Sequence, residues 1–318
     1  MSVFTELSQQ DIETLLSQYT LGQYQAHSGI QAGTENTNYF VDTDLAQFVL
    51  TLFEKHSAEE LPFFLSLGEH LHDHQCAVPQ PFRTAEGVFL TTIRGKPAVL
   101  FERVSGKHHQ PSPQHADTLA RALANIHRST EDFNEHREHS HNRLWIATTA
   151  RQLMPELSEA HAETLARVLT VIDSIPSELP AGIIHADLFH DNALFVDDQL
   201  NGIIDWYFAG YDAYALDIAV CMIDWCLNDQ GLPDTQRCVD FAAAYHQVRS
   251  LENSEIDALP ALMVQATTRF WLSRALAAAQ HSGSDSIQVK DPEPMRLIAM
   301  YCMDHLAELG EAFKLGLM

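Results

Sequence analysis

In the first third of the chain, the spacing of hydrophobic and polar positions alternates between patterns typical of helices and patterns typical of strands. Residues 8–19 predict an opening helix, because Ser8 can cap it and apolar side chains recur along one stripe. Short apolar runs then predict strands at 27–30, 37–41 and 47–53. A helix at 61–75 and short strands at 87–93 and 97–104 complete this part, which is therefore rich in strands.

The segment 105–114 (SGKHHQPSPQ) concentrates Gly, Pro, Ser and polar residues and marks a boundary. One strand pair is predicted beyond it, at 193–196 and 202–206. The rest has helical periodicity, at 114–129, 142–154, 158–174, 212–228, 234–249, 254–281 and 291–315. The pattern predicts an α+β protein with a small β-rich N-terminal domain, 1–104, and a larger, mainly helical C-terminal domain, 105–318.

Charge and composition narrow the possible partners. The 318 residues carry a formal net charge of -24, which disfavours nucleic acid and anionic membrane surfaces. The N-terminus has no signal-peptide pattern, and no stretch approaches about 18 consecutive apolar residues, so we predict no transmembrane helix. Five cysteines, an odd number without CxxC spacing, favour a reducing compartment, and we expect a cytoplasmic protein.

The candidate chemistry lies at residues 185–192 (HADLFHDN) and in the strand that ends at Asp205 (IIDW). Phosphoryl transfer from ATP needs metal ions on the phosphate oxygens and a group that accepts the proton of the attacking hydroxyl. A carboxylate with a carboxamide suits Mg²⁺, and a second carboxylate suits the hydroxyl. A hairpin folded about Gln199 would place Asn192 opposite Trp206 and next to Asp205, so that Asn192 and Asp205 could bind one ion.

This segment resembles the catalytic segment of the aminoglycoside phosphotransferase/choline kinase family, which has the protein-kinase fold. The resemblance implies that Asp187 is the catalytic base and that Asn192 and Asp205 bind Mg²⁺. It also implies that His185 is structural and bonds backbone carbonyls near the metal strand. Asp217 resembles a structural carboxylate of the family, and Ala186 stands where the family often has Gly.

The same resemblance implies an ATP site. The loop GIQAGTENTN would cover the phosphates, and residues 101–104 would form a hinge that bonds adenine. The strand FVLTLF has Thr51 where the family's lysine is expected. Candidate replacements for that cation are Lys55, Arg83, Lys96 and Arg103. The predicted ATP contacts are Gly29, Gly33, Thr34, Asn36, Asn38, Thr51, Phe101, Glu102, Val104, Leu194 and Ile204. The adenine ring would be sandwiched by Val41, Leu50, Leu194 and Ile204, for which packing in the core is an equally compatible alternative.

Several motifs in order narrow the resemblance to the bacterial homoserine kinases of this fold: GIQAGTENTNYFV, FVLTLFE, LPFFLSL, HADLFHDN, IDWCLND and RFWLSR. This implies L-homoserine as the acceptor, in threonine biosynthesis. Its ammonium needs an anion, either Asp224 or Asp212, and its carboxylate needs a cation, either Arg269 or Arg274. A salt bridge within the protein is an equal alternative for either arginine. Aromatic residues would line the pocket or fill the core: Trp206, Tyr207, Trp225 and Trp271.

Two other functions remain open at this point. One is a kinase of the same fold for choline, ethanolamine, a sugar or an aminoglycoside. The other is a catalytically weak nucleotide-binding regulator, which the absent strand lysine favours and the intact acidic motif disfavours. The histidine tracts at 70–74 and 136–141 are interpreted as solvated side chains, because neither has a nearby Cys or a repeat that fixes metal geometry. The oligomeric state is not predicted.

Overall fold

The structure, a computed structural model, describes residues 3–31, 36–280 and 290–317. The chain forms two compact units that divide between Gly106 and Lys107, two residues beyond the boundary expected from composition. No helix within the described ranges is both long and apolar enough to span a membrane. All five cysteines lie among the described residues, and none of them forms a disulfide.

The N-terminal unit is an antiparallel sheet of five strands with two helices. Its strand order is β1-β2-β3-β5-β4. Ser8 begins the first helix through a capping box with Asp11. The strand predicted at 87–93 is shorter, because a turn that Thr84 N–H closes onto Val88 O precedes it. The elements are α1 (Gln9–Leu16), β1 (Tyr24–Gly29), β2 (Asn36–Thr43), β3 (Gln47–Phe53), α2 (Leu61–Asp73), β4 (Thr91–Ile93) and β5 (Lys96–Glu102).

One face of this sheet forms a hydrophobic core with α1. The apolar stripe of α1 packs there with alternate residues of β2, β3 and β5. Val41 and Leu50 are fully buried in this core, as the core alternative for them expects. Thr51 follows Leu50 in β3, pairs with Asn38 and therefore lies on the opposite face.

The C-terminal unit is built around two buried helices, α6 and α8. Almost every residue of α6 is buried, and α8 packs against α4, α5, α6, α9 and α10. The helix predicted at 291–315 is two helices, because the chain bends at His305. The helices are α3 (Pro113–Ser129), α4 (Arg143–Leu153), α5 (Glu159–Asp173), α6 (Tyr214–Trp225), α7 (Thr235–His246), α8 (Asn253–Gln280), α9 (Glu293–Asp304) and α10 (Leu306–Leu317).

Two strand pairs interrupt these helices, one of which the sequence did not predict. The unpredicted pair joins β6 (Ala181–Ile184) to β9 (Gly210–Ala213). Both strands need glycine, since a Cβ at Gly182 would lie 2.0 Å from the Tyr214 hydroxyl and one at Gly210 would lie 2.8 Å from the His139 backbone. These substitutions would force the neighbours apart.

The predicted pair is a tight hairpin of β7 (Ala193–Val196) and β8 (Gln199–Ile203). Its register differs from the prediction, because Asp197 adopts a left-handed φ of 52° and the turn closes between Val196 and Gln199. The Asn192 carbonyl accepts from Ile204 N–H at 3.0 Å, so Asn192 lies opposite Ile204 and not opposite Trp206.

Candidate active site

The loop that carries Asp187 follows β6 and is held by a buried carboxylate. Asp217 of α6 accepts from His185 N–H at 2.7 Å and from Ala186 N–H at 2.8 Å. Ala186 has a φ of 66°, a left-handed conformation that favours glycine. The two hydrogen bonds therefore stabilise a backbone shape that the loop would not adopt alone.

The carboxylate of Asp217 is itself fixed by His127 of α3, whose Nε2 lies 3.1 Å away. Both side chains are fully buried. Burial opposes ionisation of Asp217, but the hydrogen bond from His127 helps to lower its pKa below the usual range. Burial also lowers the pKa of His127, so its neutral ring donates to Asp217 and accepts from the Tyr245 hydroxyl at 2.7 Å.

His185 joins the catalytic loop to the strand that leads to Asp205. Its Nδ1 accepts from Asp187 N–H at 3.2 Å, which leaves Nε2 to donate to Ile204 O at 3.1 Å. Burial lowers the pKa of this fully buried ring, so it is neutral. The ring also packs on Trp206 at 4.5 Å between centroids. Its contacts are those of a structural residue.

Asp187 lies at the mouth of this loop with a side chain that is 20% exposed. Arg269 of α8 donates through Nη1 to Asp187 Oδ1 at 3.2 Å. Burial raises the pKa of Asp187, while the charge of Arg269 opposes that rise. A carboxylate with a raised pKa, held beside a cation, suits a general base.

The hydrogen bond from Ile204 N–H to the Asn192 carbonyl brings Asn192, just before β7, close to Asp205, which follows Ile204 beyond β8. Asn192 Nδ2 donates to the Asp187 carbonyl at 2.8 Å, which turns Oδ1 the other way. Asp205 is exposed and adopts the left-handed conformation, φ 64° and ψ 60°. An amide oxygen and an exposed carboxylate are ligands that Mg²⁺ accepts, so these residues fit the predicted metal site.

The two anions predicted for an ammonium group are already engaged within the protein. Asp224 accepts from His190 N–H at 2.7 Å and contacts its ring Nδ1 at 2.9 Å, and this contact raises the pKa of His190. Asp212 contacts His139 Nδ1 at 3.1 Å and accepts from Ala213 N–H at 2.8 Å. Of the two, Asp224 lies beside the catalytic loop.

The two predicted arginines of α8 differ in environment. Arg269 contacts the Asp187 carboxylate directly. Arg274 donates through Nη1 to Asp291 O at 3.1 Å and is half-buried. Burial lowers the pKa of Arg274, although Asp224 and Asp187 attract its charge. Arg274 is therefore the more accessible of the two cations.

Most predicted aromatic residues of the pocket belong to the core. Trp206 is only 7% exposed and donates to Ile203 O, and Trp225 donates to Leu188 O. Trp271 is likewise buried. The core alternative therefore describes these tryptophans. Tyr207 is half-buried, and burial together with the charge of Asp205 raises its pKa.

Two histidines were wrongly interpreted as solvated. His139 is buried against Asp212, and His141 packs on Trp145 at 4.3 Å and on Phe208 at 5.2 Å. Burial, with the charge of Arg269, lowers the pKa of His141 to about 3. The spacing of Trp145 four residues after His141 was an available signal.

His127, which sequence reasoning missed altogether, had a signal of the same kind. It continues the apolar stripe of α3, four residues after Leu123 and eight after Leu119. A histidine at such a position is buried and needs polar partners. Those partners are Asp217 and Tyr245.

The predicted nucleotide contacts of the N-terminal unit lie near strand ends. Gly29 ends β1, Asn36 begins β2, and Phe101 and Glu102 end β5, with Val104 just beyond. Glu102 N–H donates to Gln80 O, so that amide is occupied. Gly33 and Thr34 lie outside the described residues.

The slot expected to hold a lysine contains a neutral pair. Thr51 Oγ1 donates to Asn38 Oδ1 at 2.7 Å. Three of the replacement cations that we considered are engaged elsewhere in the unit. Lys96 pairs with Glu54, and Arg83 makes two bonds to Glu69. Arg103 stacks on Phe40 at 4.0 Å.

On the C-terminal hairpin, Leu194 and Ile204 are half-buried. Leu194 lies in β7 two residues beyond Asn192, and Ile204 donates its N–H to the Asn192 carbonyl, so both apolar residues lie close to Asn192 along the chain or through the backbone. An apolar surface beside the predicted metal ligands is compatible with an adenine contact.

Comparison with known proteins identifies the family. Residues 27–251 match the family described as "Phosphotransferase enzyme family". The homoserine kinase of Polaromonas naphthalenivorans (strain CJ2) is 38% identical over 301 residues, 92% of this chain and 95% of that protein. The chain belongs to the phosphotransferase enzyme family and, within it, to the homoserine kinases. The homoserine kinase of Pseudomonas aeruginosa (strain LESB58) is 36% identical over 296 residues, 92% of this chain and 93% of that protein.

Solved structures confirm the kinase-like fold predicted for this phosphotransferase. An amicoumacin kinase in complex with AMP-PNP, Ca²⁺ and Ami has a TM-score of 0.68 at 14% identity, covering 95% of this chain and 94% of that one. A choline/ethanolamine kinase family protein from Mesorhizobium loti has a TM-score of 0.62 at 14% identity, covering 95% and 93%. At this identity the likeness establishes the fold alone.

Proposed function

We propose that this phosphotransferase transfers the γ-phosphoryl group of ATP to the hydroxyl group of L-homoserine. The choice of L-homoserine as acceptor is supported by the similarity of this chain to homoserine kinases over 92% of its length. The arrangement of Asp187 beside Asn192 and Asp205 supports the reaction type. The product would be O-phospho-L-homoserine, an intermediate of threonine biosynthesis, and we expect the enzyme to act in the cytoplasm.

The proposed role of Asp187 is to orient the acceptor hydroxyl and take its proton. The hydroxyl oxygen then bonds to the γ-phosphorus as the bond from that phosphorus to the bridging oxygen breaks, and ADP leaves. The raised pKa of Asp187 brings its basicity closer to the working pH, which favours proton acceptance. Asp217 and His185 keep the loop in place during this step.

We assign Asn192 Oδ1 and the carboxylate of Asp205 as ligands of Mg²⁺. When bound, the ion neutralises charge on the transferring phosphates. The support for this assignment is the orientation of the Asn192 amide and the exposure of Asp205. A chain with a net charge of -24 needs such local neutralisation to bind ATP.

For the nucleotide itself we propose contacts from each unit. The N-terminal unit supplies backbone near Gly29, the polar side chains of Asn36, Asn38 and Thr51, and hinge backbone at Phe101 and Val104. Glu102 contributes through its carbonyl, because its N–H is occupied. The C-terminal unit supplies apolar surface at Leu194 and Ile204.

For the acceptor we propose that Asp224 and Arg274 recognise the ammonium and carboxylate groups. Asp224 contacts the catalytic loop directly, because it accepts from His190 N–H. Arg274 contacts Asp291, and the neighbouring Lys290 contacts Asp191 of the loop at 3.0 Å. A guanidinium matches a carboxylate better than an ammonium does, because it can form two parallel bonds. Tyr207 is the remaining aromatic candidate for the pocket wall.

An acceptor panel tests this function. ADP release with Mg·ATP is measured for L-homoserine, L-serine, choline, ethanolamine and an aminoglycoside, with an acceptor-free control for background hydrolysis. We expect saturable release with L-homoserine alone. Turnover of another acceptor in its place would contradict the assigned substrate. Saturable ATP binding without turnover of any acceptor would instead support a regulatory nucleotide-binding protein.

A further inference from the structure

The two adjacent residues Arg269 and Phe270 of α8 both contact the catalytic loop. Arg269 Nη1 donates to Asp187 Oδ1 at 3.2 Å, and the Phe270 ring packs on Phe189 at 4.5 Å between centroids. Asp187 and Phe189 are the third and fifth residues of the HADLFHDN segment. The helix therefore fixes both the catalytic side chain and the backbone that follows it.

The guanidinium of Arg269 is buried between aromatic rings. Its side chain is only 6% exposed, with its central carbon 3.9 Å from the Phe270 ring centroid and 4.8 Å from that of Phe208. A charge buried to this degree is costly unless a partner of opposite charge compensates it. Asp187 is that partner, so the pair behaves as one unit of the protein.

The contact also distinguishes the two oxygens of Asp187. Oδ1 accepts from Arg269, whereas Oδ2 has Asn192 Nδ2 at 3.4 Å, the outer limit of a hydrogen bond. A carboxylate whose Oδ1 is fixed cannot rotate freely. Oδ2 is therefore the oxygen that remains to accept a proton from the acceptor.

We propose that Arg269 is a positioning residue that fixes the Asp187 carboxylate with Oδ2 towards the acceptor hydroxyl, and that it does not bind the acceptor's own carboxylate. This inference rests on the proposed function and gives the two candidate arginines of α8 different roles. An acceptor carboxylate at Arg269 would have to compete with Asp187 for the same guanidinium. Arg274, which is half-buried, has no such conflict with the base.

The test separates positioning from binding. For wild type, Arg269→Gln and Arg269→Lys, the kcat and KM for L-homoserine are measured, together with the inhibition constant of L-2-aminobutanoate. That inhibitor has the ammonium and carboxylate of L-homoserine and lacks only the hydroxyl. We expect Arg269→Gln to lower kcat about 10²-fold, the order of loss that a misplaced catalytic group causes. Its KM and inhibition constant should stay near wild type, and Arg269→Lys should recover part of the kcat.

A second readout covers the possibility that Arg269→Gln folds poorly because it leaves Asp187 unpaired. In the double variant Asp187→Asn with Arg269→Gln both charges are removed. If Arg269 acts only through Asp187, the double variant has the kcat of Asp187→Asn alone. Arg151→Gln, at an exposed position of α4, is the matched control and should behave as wild type.

The outcomes are distinct. An inhibition constant that rises at least as much as kcat falls in Arg269→Gln would show carboxylate binding and overturn the inference. A further loss of kcat in the double variant, beyond that of Asp187→Asn, would also overturn it. Absence of L-homoserine turnover in wild type would instead refute the proposed function, so the two failures are distinguishable.

Discussion

Two regions use charge in opposite ways. One is the loop 185–192 of the C-terminal unit, which carries Asp187, and the other is the position in the N-terminal unit where a lysine was expected and Thr51 stands. In the loop, charged side chains are buried and paired at the predicted point of reaction, the Asp187 carboxylate with the Arg269 guanidinium and the Asp217 carboxylate with the neutral ring of His127. In the slot, Thr51 and Asn38 form a neutral hydrogen bond, while the cation Lys96 pairs with Glu54. The two regions therefore differ in where they place charge.

This difference indicates which part determines the chemical step. Buried charge pairs hold a group in one geometry, because separating them leaves an uncompensated charge. A neutral hydrogen bond is worth only about 1 kcal/mol and constrains less. We therefore expect variants in the loop to affect kcat and stability strongly, and variants of the slot to affect nucleotide binding modestly.

The largest effect is expected for Asp187→Asn, which removes the proposed base and keeps the shape of the side chain. The kcat for L-homoserine should fall on the order of 10³-fold, the range typical of general-base loss. The affinity for ATP, measured by calorimetry, should change little. Asp229→Asn, at an exposed position beyond α6, is the control. A wild-type kcat in Asp187→Asn would show that Asp187 is not the general base.

The next effect concerns the carboxylate beneath the loop. Asp217→Asn replaces one carboxylate oxygen with an NH2 group, which then faces the N–H of either His185 or Ala186, and it removes the negative charge that accepts from His127. We expect a loss of about 3 kcal/mol in the free energy of unfolding, as for a broken buried pair. All four tryptophans (Trp145, Trp206, Trp225 and Trp271) lie in the C-terminal unit, so their fluorescence in a urea titration reports on it.

Asp217→Asn should lower kcat as well as the free energy of unfolding, because the loop backbone depends on the Asp217 carboxylate. A purely local role of Asp217 would leave kcat unchanged. A urea midpoint equal to that of Asp229→Asn would contradict the account of the buried network.

A smaller effect is expected in the N-terminal unit. Lys96→Met breaks the contacts to Glu54 and to Thr5, so the amides at the ends of β3 and β5 should exchange hydrogen faster. The KM for ATP should change no more than about fivefold, the factor that corresponds to about 1 kcal/mol. Thr51→Val is the companion variant and tests the neutral pair itself.

The Lys96→Met measurement can show whether the two regions really differ in their use of charge. If Lys96→Met raised the KM for ATP about a hundredfold with unchanged hydrogen exchange, Lys96 would be the missing phosphate cation. Charge would then be used alike in both units.

The smallest effect is expected for Ala186→Gly. Glycine relieves the left-handed φ of 66°, which costs alanine about 1 kcal/mol. The change also removes a buried methyl group, a loss of similar size. The urea midpoint should therefore shift very little, and kcat should remain near wild type. A strong loss of kcat would show that the methyl group itself positions the loop.

Sequence reasoning succeeded for the fold and the family, because the strands and helices follow the hydrophobic period and the HADLFHDN segment is a short motif. The roles assigned to the residues of that segment and to Asp205 stay predictions. The hairpin register was wrong because a left-handed Asp197 and an irregularity at Leu194 and Phe195 leave no trace in that period. The β6–β9 pair was missed because four-residue strands separated by 25 residues carry too little pattern.

The network around the site was not predictable for a different reason. The contacts of Arg269 with Asp187 and of His127 with Asp217 join residues 82 and 90 positions apart. Only packing of α3, α6 and α8 brings them together. A buried charged residue on an apolar helix face indicates that a partner exists, but it does not say which residue that is.

Identification of the product tests the central claim most directly. Purified protein is incubated with Mg·ATP and L-homoserine, and the products are analysed by mass spectrometry and ³¹P NMR. We expect one equivalent of ADP for each O-phospho-L-homoserine formed, with the phosphate on the side-chain oxygen. ADP without a phosphorylated amino acid, or no ADP above the acceptor-free control, would contradict the claim.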